Sequence, residues 1–236
     1  MSLKEKFIFN FIQDDRWKYI ADGLVVTLQV TFFAVLLGIA MGIIIAIIRS
    51  TYDKNSSSMR GFSKFILSVM NLLCKVYLTV IRGTPVVVQL MIMYFVILVS
   101  SNNKILVAVL AFGLNSAAYV AEIFRSGIMS IDQGQFEAGR SLGFNFVQTM
   151  QYIIIPQAFK NVLPALANEF IVLLKETSVA GYVGLQDLTK GGDIIRSRTY
   201  EAFMPLIGVA IIYLVMVMFF TYLVGILERR LRNSER

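Results

Sequence analysis

Residues 23–48 and 202–227 each run for 26 positions without a charged side chain. A helix needs about 20 predominantly apolar residues to cross a bilayer core of about 30 Å, so both runs read as membrane spans. Composition agrees. Of the 236 residues, 57% are hydrophobic and 16% charged, against roughly 45–50% and 25% in soluble domains. A soluble globular protein, a disordered chain and a disulfide scaffold are excluded. The sequence predicts an all-α, polytopic membrane protein.

Several chemistries lack their residues. There is no histidine, and the one cysteine, Cys74, lies in an apolar stretch, so a zinc site or disulfide framework has no ligands. No G-x-x-x-x-G-K-[ST] occurs, so the chain has no P-loop with which to hold a nucleotide. The Gly191-Gly192 pair leads to no recognisable motif. The net charge of +7 does not indicate nucleic acid, because in a membrane chain the distribution of Lys and Arg carries the information. The first apolar run starts at residue 23 and is too long for a signal peptide; it reads as a retained span.

Five passes are expected: 23–48, 62–99, 105–124, 162–182 and 202–227. The second is interrupted by Arg82-Gly83-Thr84-Pro85 and, at about 57 Å of helix for 38 residues, is long enough for one broken span or two. The positive-inside rule decides between them. With one broken pass, 49–64, 125–161 and 228–236 share a side and carry 11 Lys/Arg against 5 acids, while 1–22, 100–104 and 181–201 carry 8 against 7. The first set is then cytoplasmic, which puts the amino terminus outside and the carboxy terminus inside.

The organisation expected is an amphipathic segment 1–22, a transmembrane domain 23–228 and a basic tail 229–236. Phe7, Ile8, Phe11, Ile12 and Trp17 suit a helix lying in the membrane interface; a frayed tail is the alternative. Gly38 and Gly42 form a G-x-x-x-G that permits close helix approach, a pattern also common by chance.

The connection 125–160 is too long to be structureless. Ala138, Leu142 and Phe146 recur at helical spacing and predict an apolar stripe on one short helix. Pro156 is expected to end any helix, and Gly143 to allow a break. Such a helix either lies on the membrane or docks in a partner's groove.

Within that loop, about 132–160, Glu137-Ala138-Gly139 is followed at fixed spacing by Gly143, Ile153, Ile155 and Pro156. This resembles the "EAA" signature of membrane subunits of bacterial ABC-type importers, departing at Gly139 (for Ala) and Ile155 (for Leu). Three further segments resemble the polar amino-acid permeases that include the arginine, histidine, glutamine and cystine systems. They are Ile81-Arg82-Gly83-Thr84-Pro85 with Gln89, the run Asn115 to Ile123, and Asn168-Glu169-Phe170 with Leu174-Lys175-Glu176. The likeness covers roughly residues 20–230. It implies a type I importer permease fold with a cytoplasmic coupling helix in a bacterial plasma membrane. It implies a permease working as a pair, with a second copy or a sister chain. An ATP-binding subunit would dock on the loop through Glu137, Ala138, Gly139 and Gly143, and an extracytoplasmic solute-binding protein would deliver an amino acid. ATP and Mg would belong to the partner, and no cofactor to this chain.

Charges at membrane depth are rare and usually functional or paired. Asn115, Tyr119 and Glu122 share one helix stripe, which either lines a substrate path or, for Glu122, reaches water at the interface. Glu169 and Glu176 share another stripe, where Lys175 offers an internal ion pair. Glu169, with no basic residue at i±3 or i±4, is the better path candidate. At the break, Thr84 is a candidate N-cap, and Pro85 with Gln89 opens a helix start whose amides suit a carboxylate; a simple turn is the alternative. Together with acidic groups at Glu122 and Glu169, one cavity would hold a zwitterion, with a preference for cationic amino acids if both glutamates are unpaired. A self-sufficient secondary transporter or channel is the competing class. A membrane-embedded enzyme lacks a nucleophile–base pair.

Overall fold

In a bilayer core the backbone has no water to bond, so apolar runs satisfy their own amides as helices. The structure, a computed structural model, describes residues 2–55 and 59–233, and its regular elements are helical. Helix α1 (Leu3–Phe7) passes through a π turn (Ile8–Ile12) and a 3-10 turn (Gln13–Asp15) into α2 (Trp17–Asn55). Helix α3 (Gly61–Gly83) precedes α4 (Val86–Ile92), which ends in a π turn (Met93–Ile97). Then come α5 (Lys104–Met129), α6 (Gln133–Ser141) and α7 (Phe146–Thr149), and a π turn (Met150–Ile154) leads into α8 (Ile155–Glu176). A 3-10 turn (Thr177–Val183), α9 (Leu188–Thr199) and α10 (Phe203–Asn233) complete the chain. Residues 234–236 of the expected basic tail and Met1 of the expected amphipathic segment lie outside the described residues.

Among the described residues four helices are long and apolar enough to cross a membrane: Trp17–Asp53, Gly61–Gly83, Lys104–Met129 and Phe203–Leu231. The chain is an all-α polytopic membrane protein. Helix α2 overruns the charge-free run at both ends, because polar flanks continue the same hydrogen-bond ladder. The pass expected at 162–182 is not among these four, and the helix there is shifted. Its α-helix starts at Ile155 and ends at Glu176, after which the chain tightens into 3-10 turns. Pro156 begins this helix instead of ending one, since the first turn needs no amide donor from it. Pro164 is accommodated inside.

Helix α5 is the centre of the core. Its Ala108, Ala111 and Phe112 pack with Val30, Ala34 and Val35 of α2, Leu90 of α4 and Leu173 of α8. Further along, Ala118 and Ala121 meet Ile45 of α2 and Cys74 and Leu78 of α3, and Val120 meets Val162 and Leu166 of α8. The G-x-x-x-G has its explanation here. A Cβ on Gly38 would lie 2.8 Å from Ser116 Oγ, and one on Gly42 would lie 2.5 Å from Val120 Cγ1. The motif serves close packing of α2 on α5 within one chain.

At the end of the molecule holding the amino terminus, α9 wedges between α2 and α10. A Cβ on Gly191 would lie 2.3 Å from the Tyr19 carbonyl oxygen, and one on Gly192 would lie 2.4 Å from Val209 Cγ2. This close fit is the role the sequence left unassigned for that glycine pair. Asp187 caps α9, accepting from the amides of Thr189 and Lys190 at 3.1 and 3.0 Å. The Leu188 amide donates to Thr27 Oγ1 at 3.1 Å. Burial pushes the Asp187 carboxyl above its usual range, and the hydrogen bonds from Lys190 and Thr189 pull against it. The α1 segment closes over this end: Lys6 Nζ and Asn10 Nδ2 donate to the two oxygens of Glu201 at 3.0 and 2.7 Å. The amino-terminal segment and residues 188–201 therefore share one end.

Candidate functional site

Gly83 ends α3, Thr84 and Pro85 are extended, and α4 resumes at Val86. The N-cap position is Pro85, not the expected Thr84. The Thr84 hydroxyl instead donates back to the Val80 carbonyl at 2.8 Å. Two backbone carbonyls in this break need a donor, and one side chain supplies it. Gln89 Nε2 lies 2.7 Å from Ile81 O, 3.0 Å from Thr84 O and 2.8 Å from Thr84 Oγ1. Gln89 Oε1 accepts from Asn115 Nδ2 at 2.9 Å. The break is thus sealed by an amide and tied to α5.

Helices α3 and α4 follow α5 in one direction. Cys74 and Leu78 lie beside Ala118 and Ala121, the Tyr77 hydroxyl donates to the Leu114 carbonyl, and Gln89 meets Asn115. Leu90 then packs with Ala108, Ala111 and Phe112, and Lys104 Nζ sits 5.9 Å from the Tyr94 ring centre. The packing contacts step toward lower numbers on α5 as α3–α4 rises, while the long Tyr77 and Arg82 side chains reach along α5 to Leu114 and to Glu122.

Glu122 is paired. Arg125 binds its carboxylate through Nε, at 3.1 and 3.0 Å, and through Nη2. Arg82 Nη1 approaches from the end of α3 at 4.0 Å, and Arg82 Cζ lies 5.8 Å from the Tyr119 ring centre. Asn115, Tyr119 and Glu122 share a stripe that faces the break, and the pairing of Glu122 removes the condition, two unpaired glutamates, on which a cationic preference was expected.

Glu169, on α8, meets another side of α5. It is 8% exposed and accepts from the fully buried Ser116 hydroxyl at 2.8 Å. Ser116 is one residue and about 100° round the helix from Asn115. Among the described residues, Lys175 lies within ion-pair distance of neither Glu169 nor Glu176. The structure brings Thr84, Pro85, Gln89, Asn115, Tyr119 and Glu122 together and puts Glu169 round the helix from them. Ser116, Arg82 and Arg125 were missed as partners. The sequence signal was available for the arginines, as opposite charges near the same membrane depth.

In the loop, the expected single stripe is broken. Helix α6 closes at Leu142, the Phe144 amide donates to Gly139 O at 3.0 Å, and Gly143 takes φ +83°. Phe146 belongs to α7. Gly139 is buried, and a Cβ there would lie 2.7 Å from Thr149 Cγ2, which accounts for the departure from alanine. Glu137 and Ala138 are exposed, and nothing stands within 4 Å of a Cβ on Gly143.

Residues 38–233 match the family described as "Binding-protein-dependent transport system inner membrane component". The arginine transport system permease protein ArtQ of Bacillus subtilis (strain 168) is 36% identical over 220 residues, 92% of this chain and 94% of that protein. The glutamine transport system permease protein GlnP of Escherichia coli (strain K12) is 33% identical over 209 residues, 86% and 90% of the two chains. A solved structure, described as an amino acid ABC transporter with histidines, superposes with a TM-score of 0.79 at 43% identity, covering 90% of this chain and 94% of that one. The methionine ABC transporter MetNI, in an inward-facing conformation, shares the fold at a TM-score of 0.76 and 17% identity, covering 93% and 99%. A family match over most of the chain, with relatives of this identity along nearly all of it, places the protein among the inner-membrane components of binding-protein-dependent transport systems, as a polar amino-acid permease subunit homologous to ArtQ and GlnP.

Proposed function

We propose that this chain is the membrane-spanning permease subunit of an ATP-driven importer of a polar amino acid, in a bacterial plasma membrane. It crosses five times, with α3 and α4 as one broken crossing and α8 as the fourth. The unreversed course of α3–α4 along α5 supports the single crossing. The charge bias of the loops supports an amino terminus outside and a carboxy terminus inside, and the Lys6–Glu201 ion pair keeps 1–16 and 188–201 on one side in that scheme.

The observation that carries the substrate-path reading is the Gln89–Asn115 pair at a broken helix. Non-helical backbone at membrane depth is tolerated where it is buried in protein or lines a cavity, and such breaks frame substrate sites in transporters. Thr84, Pro85, Gln89, Asn115 and Tyr119 form the path's polar wall. A cationic preference rests on Glu169 alone, since Glu122 is neutralised by Arg125 and Arg82. Residues 133–141 present Glu137 and Ala138 to the ATP-binding subunit, with Gly139 and Gly143 shaping that surface. A second permease copy or sister chain and a solute-binding protein complete the transporter.

Transport of a labelled amino-acid panel into liposomes holding the complex tests this. Uptake should need ATP, the ATP-binding subunit and the binding protein. Uptake by this chain alone, driven by a proton or sodium gradient, would establish the secondary-transporter alternative instead.

A further inference from the structure

Arg49 is the first charge after the uncharged run 23–48. It stands on α2 across from Lys75 and Arg82 of α3, and with Leu78, Thr79 and Gly83 these residues line an open hollow of about 530 Å³. Its charge reaches Glu122 only from beyond ion-pair distance. The nearby carboxylate, Glu122, is held first by Arg125 and only at 4.0 Å by Arg82. Among the described residues, Arg49 and Lys75 have no carboxylate within ion-pair distance, and Arg49 Nε is buried with no hydrogen-bond partner. A cation at the edge of the apolar core favours an anionic partner, and a buried donor needs an acceptor. Among the described residues the chain supplies neither within bonding distance.

We propose that this hollow binds the phosphate of an anionic phospholipid. Three features select that ligand. Arg49 marks the level where the apolar run ends, which is where headgroup phosphates lie. A guanidinium fork, an ammonium and the Thr79 hydroxyl match the oxygens of a phosphodiester. Leu72, Leu73 and Val76, more than half exposed on α3 beside Lys75, give acyl chains an apolar surface next to the charged hollow. Basic pockets between transmembrane helices recognise lipid headgroups by this combination. The excess positive charge favours a lipid of net negative charge over a zwitterionic one. The bound phosphate bridges α2 to α3 beside the Arg82–Glu122–Arg125 cluster, and so braces the lower half of the broken helix. The hollow adjoins the path wall, since Gly83 precedes Thr84 and Arg82 also faces Tyr119, but it uses none of the wall's own residues.

The test is native mass spectrometry of the assembled transporter released from nanodiscs of equal phosphatidylglycerol and phosphatidylcholine. The parent should retain phosphatidylglycerol selectively. Arg49→Gln and Lys75→Gln should each lower that retention by roughly tenfold or more, the effect of losing one charged hydrogen bond, while Lys75→Arg keeps it. Equal retention of both lipids by the parent overturns the proposal, as does unchanged retention in both glutamine variants. So does a complex that retains neither lipid, which would show this face covered by the second permease. Added inorganic phosphate should leave the lipid in place, and displacement by it would assign the hollow to a free anion instead. The parent comparison decides the matter alone should a variant fail to insert.

Discussion

Asn115 Nδ2 donates to Gln89 Oε1 at 2.9 Å, and the same glutamine gives its amide protons to the carbonyls left open where α3 ends. One side chain therefore holds both halves of the broken helix to each other and to α5. Gln89→Leu keeps the bulk and removes every one of these bonds. A buried polar group left unpaired costs about 1–3 kcal/mol, and Asn115 is only 3% exposed. The expected outcome is a lower unfolding midpoint for the purified chain in detergent, with transport impaired. An unchanged midpoint would mean the break is held by packing of Leu90 and its neighbours alone.

Glu169→Gln and Ser116→Ala separate binding from structure. Glutamine at 169 can still accept the Ser116 hydroxyl but carries no charge. If the carboxylate meets a substrate ammonium, Glu169→Gln raises the concentration for half-maximal transport by roughly 10- to 150-fold, the value of a charged hydrogen bond. Ser116→Ala should move it less. Equal half-maximal concentrations in both variants, with both less heat-stable, would make the pair structural. Glu122→Gln should behave differently. It leaves Arg125 and Arg82 unneutralised, and the expected loss is in assembly, read as the yield of complex.

The helices and the break were legible because both follow from local chemistry: charge-free runs of spanning length, and a proline that cannot donate. What hides from the sequence is pairing across elements. For Glu122 the nearer partner, Arg125, was legible at i+3 on the same helix, and only the approach of Arg82 comes from another one. Thr84 looked like a cap because its spacing to α4 fits, while the cheaper bond for its hydroxyl was four residues back at Val80. Pro156 illustrates position over type, since the same ring that breaks a helix interior fits its first turn. Gly139 looked like a lapse from the alanine of the signature, and only the contact with Thr149 shows why no side chain fits.

The loop gives a graded prediction. Ala138 is exposed on α6, so Ala138→Trp should leave insertion and folding intact yet abolish substrate-stimulated ATP hydrolysis by the complex. Gly139→Val drives a branched side chain into Thr149 and should destabilise the loop itself, seen as faster proteolysis between 130 and 150. Gly143→Trp mixes the two effects, because φ +83° strains any side chain there. Normal ATPase stimulation in Ala138→Trp would move the docking surface away from α6.

The end formed by α1 and α9 should respond to acid in a direction the ion pairs fix. Hydrogen bonds from Lys190 and Arg196 hold the Asp193 carboxyl below its ordinary value of 3.8. Bonds from Asn10 and Lys6 likewise hold Glu201 below 4.5. A carboxyl lowered by folding contributes stability that is complete above its unfolded pKa and lost as pH falls through the folded one. Asp187 acts oppositely. Burial raises its pKa, so its protonation on acidification favours the folded form and cannot be the source of a loss. The docked end should therefore hold from neutral pH down to the ordinary carboxylate values and loosen only below them. Trp17, the sole tryptophan, opens α2 next to the α1 turns and reports the change as a shift in emission. Glu201→Gln removes the carboxylate that ties α1 to this end and should flatten that acid shift, whereas the Asp193 pairs lie within α9 and Asp193→Asn should leave it. A shift beginning well above pH 5, or one unaltered in Glu201→Gln, would show that the Lys6–Glu201 pair does not hold the end closed.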